Sequence, residues 1–297
     1  MTAQIIDGKK IAAELRQKLK EQISSSTSED MPVLAVILVG DNEASRIYVR
    51  NKEKAAAEVG IGCEVMEFSS SIGENALLEV IDELNANHHI NGIIVQLPLP
   101  KHIDSLKVLS HISPNKDVDG FNPYNSGLLS YNSPNAFISA TPKGILHLLQ
   151  TTGVNLSGKH AVVIGRSNIV GKPAAMLLLN HNCTTTIVHS HSKNIADIVK
   201  TADIVISACG QSKIVKSDWI KDGAIIIDVG INRDENGKLC GDVDFDNVKD
   251  KASFITPVPG GVGPMTIAML LANTFEAFCQ RNLSQECKCG KANCNCH

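Results

Sequence analysis

The stretch that decides the fold is HAVVIGRSNIVGKP, residues 160–173. An apolar, β-branched run ends at Gly165, and a helical pattern begins near Gly171. Glycine allows a tight turn there, and the first N–H groups of a helix can bind a phosphate. The glycine spacing differs from the dinucleotide fingerprint because of Ser167, and from the ATP-binding loop because Pro173 replaces the magnesium-binding Ser or Thr. By itself the stretch leaves a dinucleotide-binding turn and a structural turn equally open.

Strands and helices alternate on both sides of this stretch. Upstream, apolar runs predict strands at 33–39, 63–68 and 90–96, with helical patterns at 43–59 and 74–85. Downstream, the predicted strands are 185–189, 203–208 and 224–229, with helical patterns at 172–179 and 194–201. Such alternation is typical of parallel sheets that helices cover on both faces. We therefore expect an α/β fold of two α/β domains with parallel sheets, the second Rossmann-like, and an active-site cleft between them.

The expected domain limits follow changes in pattern along the chain. Residues 1–140 are expected to form a catalytic domain, onto which the apolar C-terminal helix at 266–280 packs back. Residues 141–265 are expected to form the Rossmann-like domain, and residues 281–297 a cysteine-rich tail. Residues 114–142 are rich in Pro, Asn, Ser and Gly and lack periodicity, which predicts a long loop.

Composition and charge exclude several classes of protein. The 297 residues contain 28 Lys and Arg against 31 Asp and Glu, so net charge gives no affinity for nucleic acid. Uninterrupted apolar runs such as Val33–Val39 are far shorter than the roughly 20 residues that cross a bilayer. The first residues, MTAQIIDGKK, lack the features of a signal peptide. We expect a cytoplasmic protein with no nucleic-acid partner and no membrane contact.

The segment that ends the second predicted strand of the Rossmann-like domain carries information about the nucleotide. In NAD sites, an acidic residue about 20 positions beyond the glycine turn holds the ribose hydroxyls. Here HSHSK, residues 189–193, contains no acid, and its serines and basic side chains, together with Arg166, suit an additional 2′-phosphate. The alternative is a solvated loop with incidental basic residues. The pattern favours NADP over NAD.

Three upstream segments carry polar groups that suit chemistry. Tyr48 and Lys52 are four residues apart on a predicted helix and share one face, although on spacing alone a solvated charged face is the favoured explanation of Lys52. Gln96 ends a buried strand, where active-site groups often emerge and where a simple turn is the alternative. Asp119 lies in DVDGF, residues 117–121, which fits either a turn or a carboxylate presented to a ligand.

Eight sequence blocks together carry a family resemblance. In chain order they are YVRNK, VQLPLP, PNKDVDGFNP, TPKG, VVIGRSNIVGKP, AIIIDVGIN, GDVDF and TPVPGGVGPMT, between Tyr48 and Thr266. With these blocks the chain resembles the bifunctional methylenetetrahydrofolate dehydrogenase/methenyltetrahydrofolate cyclohydrolases. Two departures are modest: Ala140 stands where many relatives have cysteine, and Arg166 is one of several residue types that relatives use at its position.

The resemblance implies roles for the matched positions. Lys52 matches the catalytic lysine, and Gln96 matches the glutamine that hydrogen-bonds it. Tyr48 matches the tyrosine that lies against the aromatic middle of the folate, and Asp119 matches the carboxylate that binds the amino-pyrimidine edge of the pterin. The resemblance further implies substrate contacts at Val95, Gln96, Leu97, Pro259, Gly260, Gly261, Val262 and Gly263. It implies NADP contacts at Gly165, Arg166, Ser167, Ser190 and Ile231.

The resemblance also implies the reaction and its participants. NADP would oxidise 5,10-methylenetetrahydrofolate to 5,10-methenyltetrahydrofolate, and water would convert this to 10-formyltetrahydrofolate, with residues 1–140 as the folate-binding domain. Relatives are homodimers joined through the nucleotide domain, and no metal is required. Two alternatives stay open: the same fold with only one of the two activities, and a non-catalytic NADP-binding sensor.

The nine cysteines fall into two groups. Five are scattered and are expected to be reduced, small and hydrophobic in a cytosolic protein: Cys63, Cys183, Cys209, Cys240 and Cys279. The others lie in the tail with the terminal histidine: Cys287, Cys289, Cys294, Cys296 and His297. Their two C-x-C pairs offer enough thiolates for tetrahedral zinc but lack the usual two-residue gap of structural zinc sites. Metal binding and a disordered tail are the two interpretations.

Overall fold

A computed structural model describes residues 2–26 and 30–288, with side chains as far as residue 282. In chain order the elements are β1 (Gln4–Ile5), α1 (Gly8–Ser24), β2 (Val33–Val39), α2 (Glu43–Val59), β3 (Gly62–Phe68), α3 (Glu74–Ala86), β4 (Gly92–Val95), α4 (Ser105–His111), α5 (Pro123–Ser130), α6 (Ala140–Thr151), β5 (His160–Ile164), α7 (Gly171–Asn180), β6 (Thr184–Val188), α8 (Ile195–Val199), β7 (Ile204–Ser207), β8 (Ile225–Asp228), β9 (Asn232–Arg233), β10 (Leu239–Cys240), α9 (Phe245–Val248), β11 (Phe254–Ile255) and α10 (Val262–Lys288). A 3₁₀ turn lies at Ser217–Trp219.

The first of two compact units contains the described residues up to Arg16 together with Asn125–Met269. Its six-stranded sheet has the order β1-β11-β8-β7-β5-β6, and every pair in it is parallel. The chain runs from β5 to β6 on one side and then places β7 on the other side of β5. The strand order therefore reverses between β5 and β7, and ligands of open α/β sheets bind outside the carboxyl ends of the strands at such a reversal.

The second unit contains Gln17–Tyr124 and the described residues from Leu270 onward. Its sheet has three parallel strands in the order β3-β2-β4. The β2 strand is central and almost wholly buried, because it has neighbours on both edges and helices on its faces. Ile37 and Ile93 from this sheet and Leu77 and Ile81 from α3 form the centre of one apolar cluster. This cluster fixes the carboxyl end of β4, where one group of predicted site residues begins.

Several elements differ from the sequence prediction. The segment predicted as a loop at 114–142 contains all of α5 and the start of α6. Asn122 precedes the α5 helix, and its Oδ1 accepts a hydrogen bond from Tyr124 N at 2.8 Å. The helix has only eight residues, which are too few to show a clear helical period in the sequence. The two-residue strand β1 was not predicted, because only its pairing with β11 defines it. That pairing gives the first residues to the unit with the six-stranded sheet, whereas the sequence analysis grouped them with residues 17–140.

The sequence analysis expected no apolar segment long enough to cross a bilayer, and the C-terminal helix α10 shows that this expectation was wrong. Its stretch Val262–Asn282 is long and apolar enough to cross a membrane by length and composition, with mean hydropathy 1.3. The sequence analysis predicted an apolar helix here but compared only uninterrupted apolar runs with the length that crosses a bilayer. Within the protein 56% of the apolar window is buried, and Met265, Leu270 and Leu271 are completely inaccessible. The burial identifies α10 as a core helix, since core helices meet the same length and composition criteria.

The five cysteines whose side chains the structure describes are free thiols. Cys183 is buried, and Cys63, Cys209, Cys240 and Cys279 are half-buried. Burial raises the pKa of the Cys63 and Cys209 thiols to about 11, so both stay protonated and unreactive at neutral pH. Among the described residues no cluster of His, Cys, Asp and Glu suits a metal ion. The predicted zinc ligands Cys287, Cys289, Cys294, Cys296 and His297 lie outside the described side chains.

Candidate active site

Lys52 and Gln96 meet at the carboxyl end of β4. Lys52 lies on the inner face of α2 and is 8% exposed, and its Nζ donates to Gln96 Oε1 at 3.1 Å. The amide of Gln96 is itself fixed, because its Nε2 donates to Leu97 O at 2.8 Å. No carboxylate forms an ion pair with Lys52 in the described part of the chain. Lysine is rarely buried without an ion-pair partner, so burial makes this amine a candidate site residue on physical grounds.

The helix that carries Lys52 also presents Tyr48. The α2 helix begins after Asn42, whose Oδ1 accepts from Ser45 N at 2.9 Å, and ends at Gly60 in a left-handed conformation. Tyr48 lies one turn before Lys52 and stays 41% exposed, while partial burial raises the pKa of its phenol. The position thus combines an accessible aromatic ring with a nearby amine. The predicted shared face of Tyr48 and Lys52 agrees with this helix.

The loop with Asp119 is held beside β4 by buried side chains. Asp117, 1% exposed, accepts from Phe121 N at 3.1 Å and Asn122 N at 2.8 Å. From α10, Asn273 Nδ2 donates to Val118 O at 2.8 Å. Burial raises the pKa of Asp119, and the charge of Lys52 acts in the opposite direction. The opposing influence of Lys52 shows that the two side chains are close enough to interact electrostatically.

The carboxyl group of Asp119 has unused hydrogen-bonding capacity. Within the described part of the chain, no N–H or O–H group donates to it. The carboxylate of its neighbour Asp117, in contrast, accepts hydrogen bonds from the backbone of the loop. Asp119 is half-buried, so a ligand can reach its carboxyl group and supply the missing donors. Asp119, and not Asp117, is therefore the candidate acceptor that this loop offers to a ligand.

In the other unit, the predicted cofactor residues follow strands of one parallel sheet. Gly165 comes directly after β5, Ser190 lies two residues beyond β6, and Ile231 lies three residues beyond β8. Because all these strands are parallel, their carboxyl ends share one edge of the sheet. Ile231 is 55% exposed, which leaves an apolar side chain open at that edge. The sheet thus brings together residues that are widely separated in the chain.

The glycine turn lies at the reversal of strand order. Gly165 has φ +119, and a β-carbon there would lie 2.2 Å from Ala208 O, which follows β7. Ser167 Oγ accepts from Val170 N at 3.2 Å and Gly171 N at 3.3 Å and so caps α7. The N–H groups of residues 166–169 have no partner in the part of the chain that the structure describes. Free N–H groups at a helix start form a site for phosphate.

Basic groups surround the end of β6, as the sequence predicted. His189 and His191 lie edge to face with ring centroids 6.0 Å apart. Partial desolvation, the charge of Arg166 and the neighbouring His191 lower the pKa of His189. Arg166 and Ser190 are exposed, so both can reach a ligand. Arg166 and Lys193 are the other basic side chains that follow β5 and β6.

The remaining predicted substrate residues are not all accessible. Pro259 is exposed and Gly260 and Gly263 are half-buried, whereas Gly261 and Val262 are buried. Gly260 O accepts from Lys9 N at 2.9 Å at the start of α1, which anchors this loop before α10. Val95 packs in the core at 1% exposure, so only its backbone could face a ligand, whereas Leu97 is half-buried. The predicted residues thus form two groups, one in each compact unit.

The sequence analysis missed a pair of buried acids beside the cofactor group. Asp228 ends β8 and Asp242 follows β10, and both carboxylates accept backbone N–H groups. Burial raises the pKa of Asp228 to about 6, partly offset by its backbone hydrogen bonds. Both residues lie in quoted blocks, AIIIDVGIN and GDVDF, but a single sequence gives an acid in such a block no role.

These features define a class of protein. A glycine turn at the strand reversal and free N–H groups belong to dinucleotide-binding α/β enzymes, and a buried amine beside an open carboxyl group adds a second, catalytic site. The chain matches the family model for the tetrahydrofolate dehydrogenase/cyclohydrolase catalytic domain over residues 6–119. It matches the NAD(P)-binding domain model of the same family over residues 139–282.

Individual relatives agree with the family models. A Listeria innocua protein described as bifunctional protein FolD is 56% identical over 275 residues, covering 92% of this chain and 96% of that one. The structure of a Campylobacter jejuni bifunctional methylenetetrahydrofolate dehydrogenase/cyclohydrolase has a TM-score of 0.92 at 46% identity, covering 94% and 99% of the two chains. A Trypanosoma brucei dehydrogenase-cyclohydrolase complexed with NADP and an inhibitor has a TM-score of 0.90 at 41% identity, covering 95% and 99%.

The chain belongs to the tetrahydrofolate dehydrogenase/cyclohydrolase family. The predicted family and the mixed α/β fold with parallel sheets are confirmed. So is the prediction of an enzyme with both a dehydrogenase and a cyclohydrolase activity.

We predict that Gly165→Ala destabilises the protein more than Gly158→Ala does. Both glycines flank β5 and have positive φ, which costs a non-glycine residue about 1–3 kcal/mol. Only at Gly165 does the new β-carbon also meet backbone, whereas nothing lies within 4 Å at Gly158. Urea unfolding followed by circular dichroism gives the two losses. Equal losses would contradict the close approach of Gly165 to Ala208.

Proposed function

We propose that the chain oxidises 5,10-methylenetetrahydrofolate to 5,10-methenyltetrahydrofolate with NADP, and hydrolyses the product to 10-formyltetrahydrofolate, with Lys52 as the catalytic residue of the hydrolysis. The family supports the two reactions. The observation that carries the residue assignment is the burial of Lys52 against an amide and not a carboxylate. The proposed substrate is a folate, and we further propose a cytoplasmic location, which suits a metabolic enzyme of this family.

Lys52 moves protons in the hydrolysis. Water adds to the bridging carbon and releases a proton, the bond from that carbon to N5 breaks with uptake of a proton at N5, and the hydroxyl proton leaves as the formyl group forms. The amine of Lys52 accepts and returns these protons. Gln96 Oε1 can accept a hydrogen bond from either the neutral amine or the ammonium, so the contact at 3.1 Å orients Lys52 throughout.

Asp119 and Tyr48 hold the substrate. The open carboxyl group of Asp119 accepts two N–H groups from the amino-pyrimidine edge of the pterin, a bidentate contact that fixes orientation. Burial of Asp119 strengthens this contact, because the free carboxyl group has no other donors in the described part of the chain. Tyr48 offers its exposed ring to the aromatic middle of the folate. Together the two contacts bring the one-carbon bridge to Lys52.

The residues at the strand reversal fit NADP. The free N–H groups of residues 166–169 and the start of α7 suit the pyrophosphate. Arg166 and Ser190 suit the 2′-phosphate, and no acidic side chain lies in residues 189–193 to favour NAD. Ile231 supplies an apolar contact. When bound, NADP accepts the hydride from the one-carbon bridge.

The two alternative functions predict different observations. A non-catalytic NADP sensor needs no buried amine, so Lys52 and the open carboxyl group of Asp119 would be an unexplained cost. An enzyme with one activity would lack either the site around Lys52 or the turn at Gly165, and this chain has both. Separate assays of methylenetetrahydrofolate oxidation and methenyltetrahydrofolate decay distinguish the three possibilities.

We also propose that the protein is a homodimer joined through the nucleotide-binding unit. The β6 strand is at the edge of the six-stranded sheet, and its outer side is unpaired among the described residues. Ile187 on this strand is 39% exposed. An open edge strand with an exposed apolar side chain is a surface that a second copy can extend.

We predict that Lys52→Met lowers the cyclohydrolase kcat at least about 100-fold, because proton transfer by a placed side chain contributes that much. Methionine is unbranched and only one atom shorter than lysine, so it fills most of the same buried space and the fold should persist. Lys54→Met is the matched control, because Lys54 is exposed on the same helix. Decay of methenyltetrahydrofolate absorbance measures both variants. Near-normal hydrolysis by Lys52→Met would refute the assigned role.

We predict that Arg166→Ala raises the KM for NADP roughly 10- to 100-fold, the value of one charge-assisted hydrogen bond. The KM for NAD should change much less, because NAD has no 2′-phosphate. Initial rates of methylenetetrahydrofolate oxidation with each cofactor give both constants. An equal rise for the two cofactors would show that Arg166 does not recognise the 2′-phosphate.

We predict that Ile187→Glu converts the dimer into a monomer of 31.8 kDa, because a charge would be buried beside the paired strands. Leu106→Glu is the control, since Leu106 is 58% exposed on a helix of the other unit. Size-exclusion chromatography with light scattering gives the masses. A native protein that already has the monomer mass would contradict the proposed dimer.

A further inference from the structure

One buried carboxylate, that of Asp242, organises the backbone after β7. Asp242 Oδ2 accepts from Cys209 N at 2.8 Å and Gly210 N at 3.2 Å, and Oδ1 accepts from Gln211 N at 2.9 Å. Three consecutive peptide groups thus donate to one side chain, which is itself completely inaccessible to solvent. No regular secondary structure satisfies these N–H groups, so the conformation of residues 209–211 depends on Asp242.

Further contacts fix the position of Asp242. Ser207 Oγ donates to Oδ2 at 3.2 Å, and Asn232 Nδ2 donates to Oδ1 at 2.9 Å. Asp228 holds the backbone of Asp242 in turn, because its Oδ1 accepts from Asp242 N at 2.9 Å. Close packing leaves no other place for the side chain: a β-carbon on Gly230 would lie 2.2 Å from Asp242 Oδ1. The Asp242 carboxylate therefore ties the end of β7 to β9, and the Asp228 carboxylate ties the end of β8 to the backbone after β10.

The segment that Asp242 holds faces the glycine turn of the dinucleotide site. Residues 209–211 follow β7, and β7 is the neighbour of β5 across the reversal of strand order. Immediately before them, Ala208 O lies so close to Gly165 that a β-carbon on Gly165 would be 2.2 Å from this oxygen. Ligands of such sheets bind outside these two strand ends. Residues 208–211 therefore form one wall of the proposed cofactor site, and a shift of these residues would change its shape.

We propose that Asp242 is a positioning residue for NADP: its carboxylate holds the backbone of residues 209–211, which continues from the Ala208 carbonyl beside the Gly165 turn, as a fixed wall of the cofactor site. The proposal rests on the proposed function, which puts the cofactor at this edge of the sheet. Asp242 touches no ligand itself, because it is fully buried. Its contribution is to keep the wall in one conformation before the cofactor binds, which lowers the entropic cost of binding.

Both oxygens of Asp242 are required for this task. An asparagine has one accepting oxygen and one NH₂ group, and the latter cannot accept a hydrogen bond. In one amide orientation the NH₂ group would face Gln211 N and Asn232 Nδ2, and in the other it would face Cys209 N and Gly210 N. Either way at least two donors lose their acceptor. Asp242→Asn is thus an isosteric change that releases the wall.

The test compares Asp242→Asn with Asp203→Asn. Asp203 is a matched control, because it lies at the opposite, amino end of β7 and accepts from His160 N at 3.0 Å and Lys221 Nζ at 2.6 Å. Three measurements are made on the full chain: amide hydrogen exchange of residues 209–211, the Kd for NADP by titration calorimetry, and cyclohydrolase kinetics without NADP. The last measurement reports whether the folate site stays intact.

For Asp242→Asn we expect faster exchange at residues 209–211 and a Kd for NADP raised roughly tenfold or more. Cyclohydrolase kcat and KM should stay within about twofold of the native values, since hydrolysis uses no dinucleotide. Asp203→Asn should leave all three readouts unchanged. If Asp242→Asn does not fold, Ser207→Ala removes one donor to Oδ2, and it should raise the Kd in the same direction by a smaller factor.

Three results would overturn the proposal: faster exchange with an unchanged Kd, an equal loss of NADP binding and cyclohydrolase activity, or unchanged exchange at residues 209–211. A merely structural role would give the second of these. Failure of the proposed cofactor site is distinguishable, because Arg166→Ala would then leave the KM for NADP unchanged. An effect of Arg166→Ala together with no effect of Asp242→Asn would reject the role of Asp242 alone.

Discussion

A lysine that is almost completely buried, with no carboxylate in ion-pair contact among the described residues, is the constraint on which the candidate active site depends. Burial of an unpaired amine opposes folding, and the cost must be met by the surrounding structure. Here α2 is capped at both ends and packs Lys52 against the end of β4, where the Gln96 amide receives it. An amide accepts from the amine in either protonation state, whereas a carboxylate stabilises the charged state of a cation beside it. The Gln96 amide can therefore keep its hydrogen bond to Lys52 during the proton transfer that we propose for this residue.

Buried carboxylates give both units their rigid loops. Asp117 accepts hydrogen bonds from the backbone N–H groups of Phe121 and Asn122. In the other unit, Asp242 accepts from the backbone after β7, and Asp228 accepts from the backbone after β10. Functional groups of α/β proteins lie on loops, which lack the hydrogen bonds of strands and helices. A carboxylate with several backbone donors supplies those bonds and fixes the loop. Asp119, by contrast, has no donor among the described residues and stays free for a ligand.

Sequence patterns predicted the limits of those elements in which buried residues form a continuous run or a regular period. The strand Val33–Val39 and the helix Glu43–Val59 have the predicted limits, because a fully buried strand and a capped amphipathic helix leave clear patterns. The strand β1 and the helix α5 were missed, since two residues carry no period and α5 is short. Asp242 was missed for a different reason: its partners come from two other segments, residues 207–211 and Asn232, and only the folded chain brings them together.

The residues proposed to select the cofactor follow β5 and β6, where Arg166 and Lys193 are basic and residues 189–193 contain no acid. Partial desolvation, Arg166 and His191 lower the pKa of His189, so this histidine contributes less positive charge than a free imidazole would. A 2′-phosphate changes its own charge near pH ~6, its second ionisation. The proposed preference for NADP should therefore increase as the 2′-phosphate takes up its second negative charge, because a dianion is attracted more strongly to the basic side chains of Arg166 and Lys193.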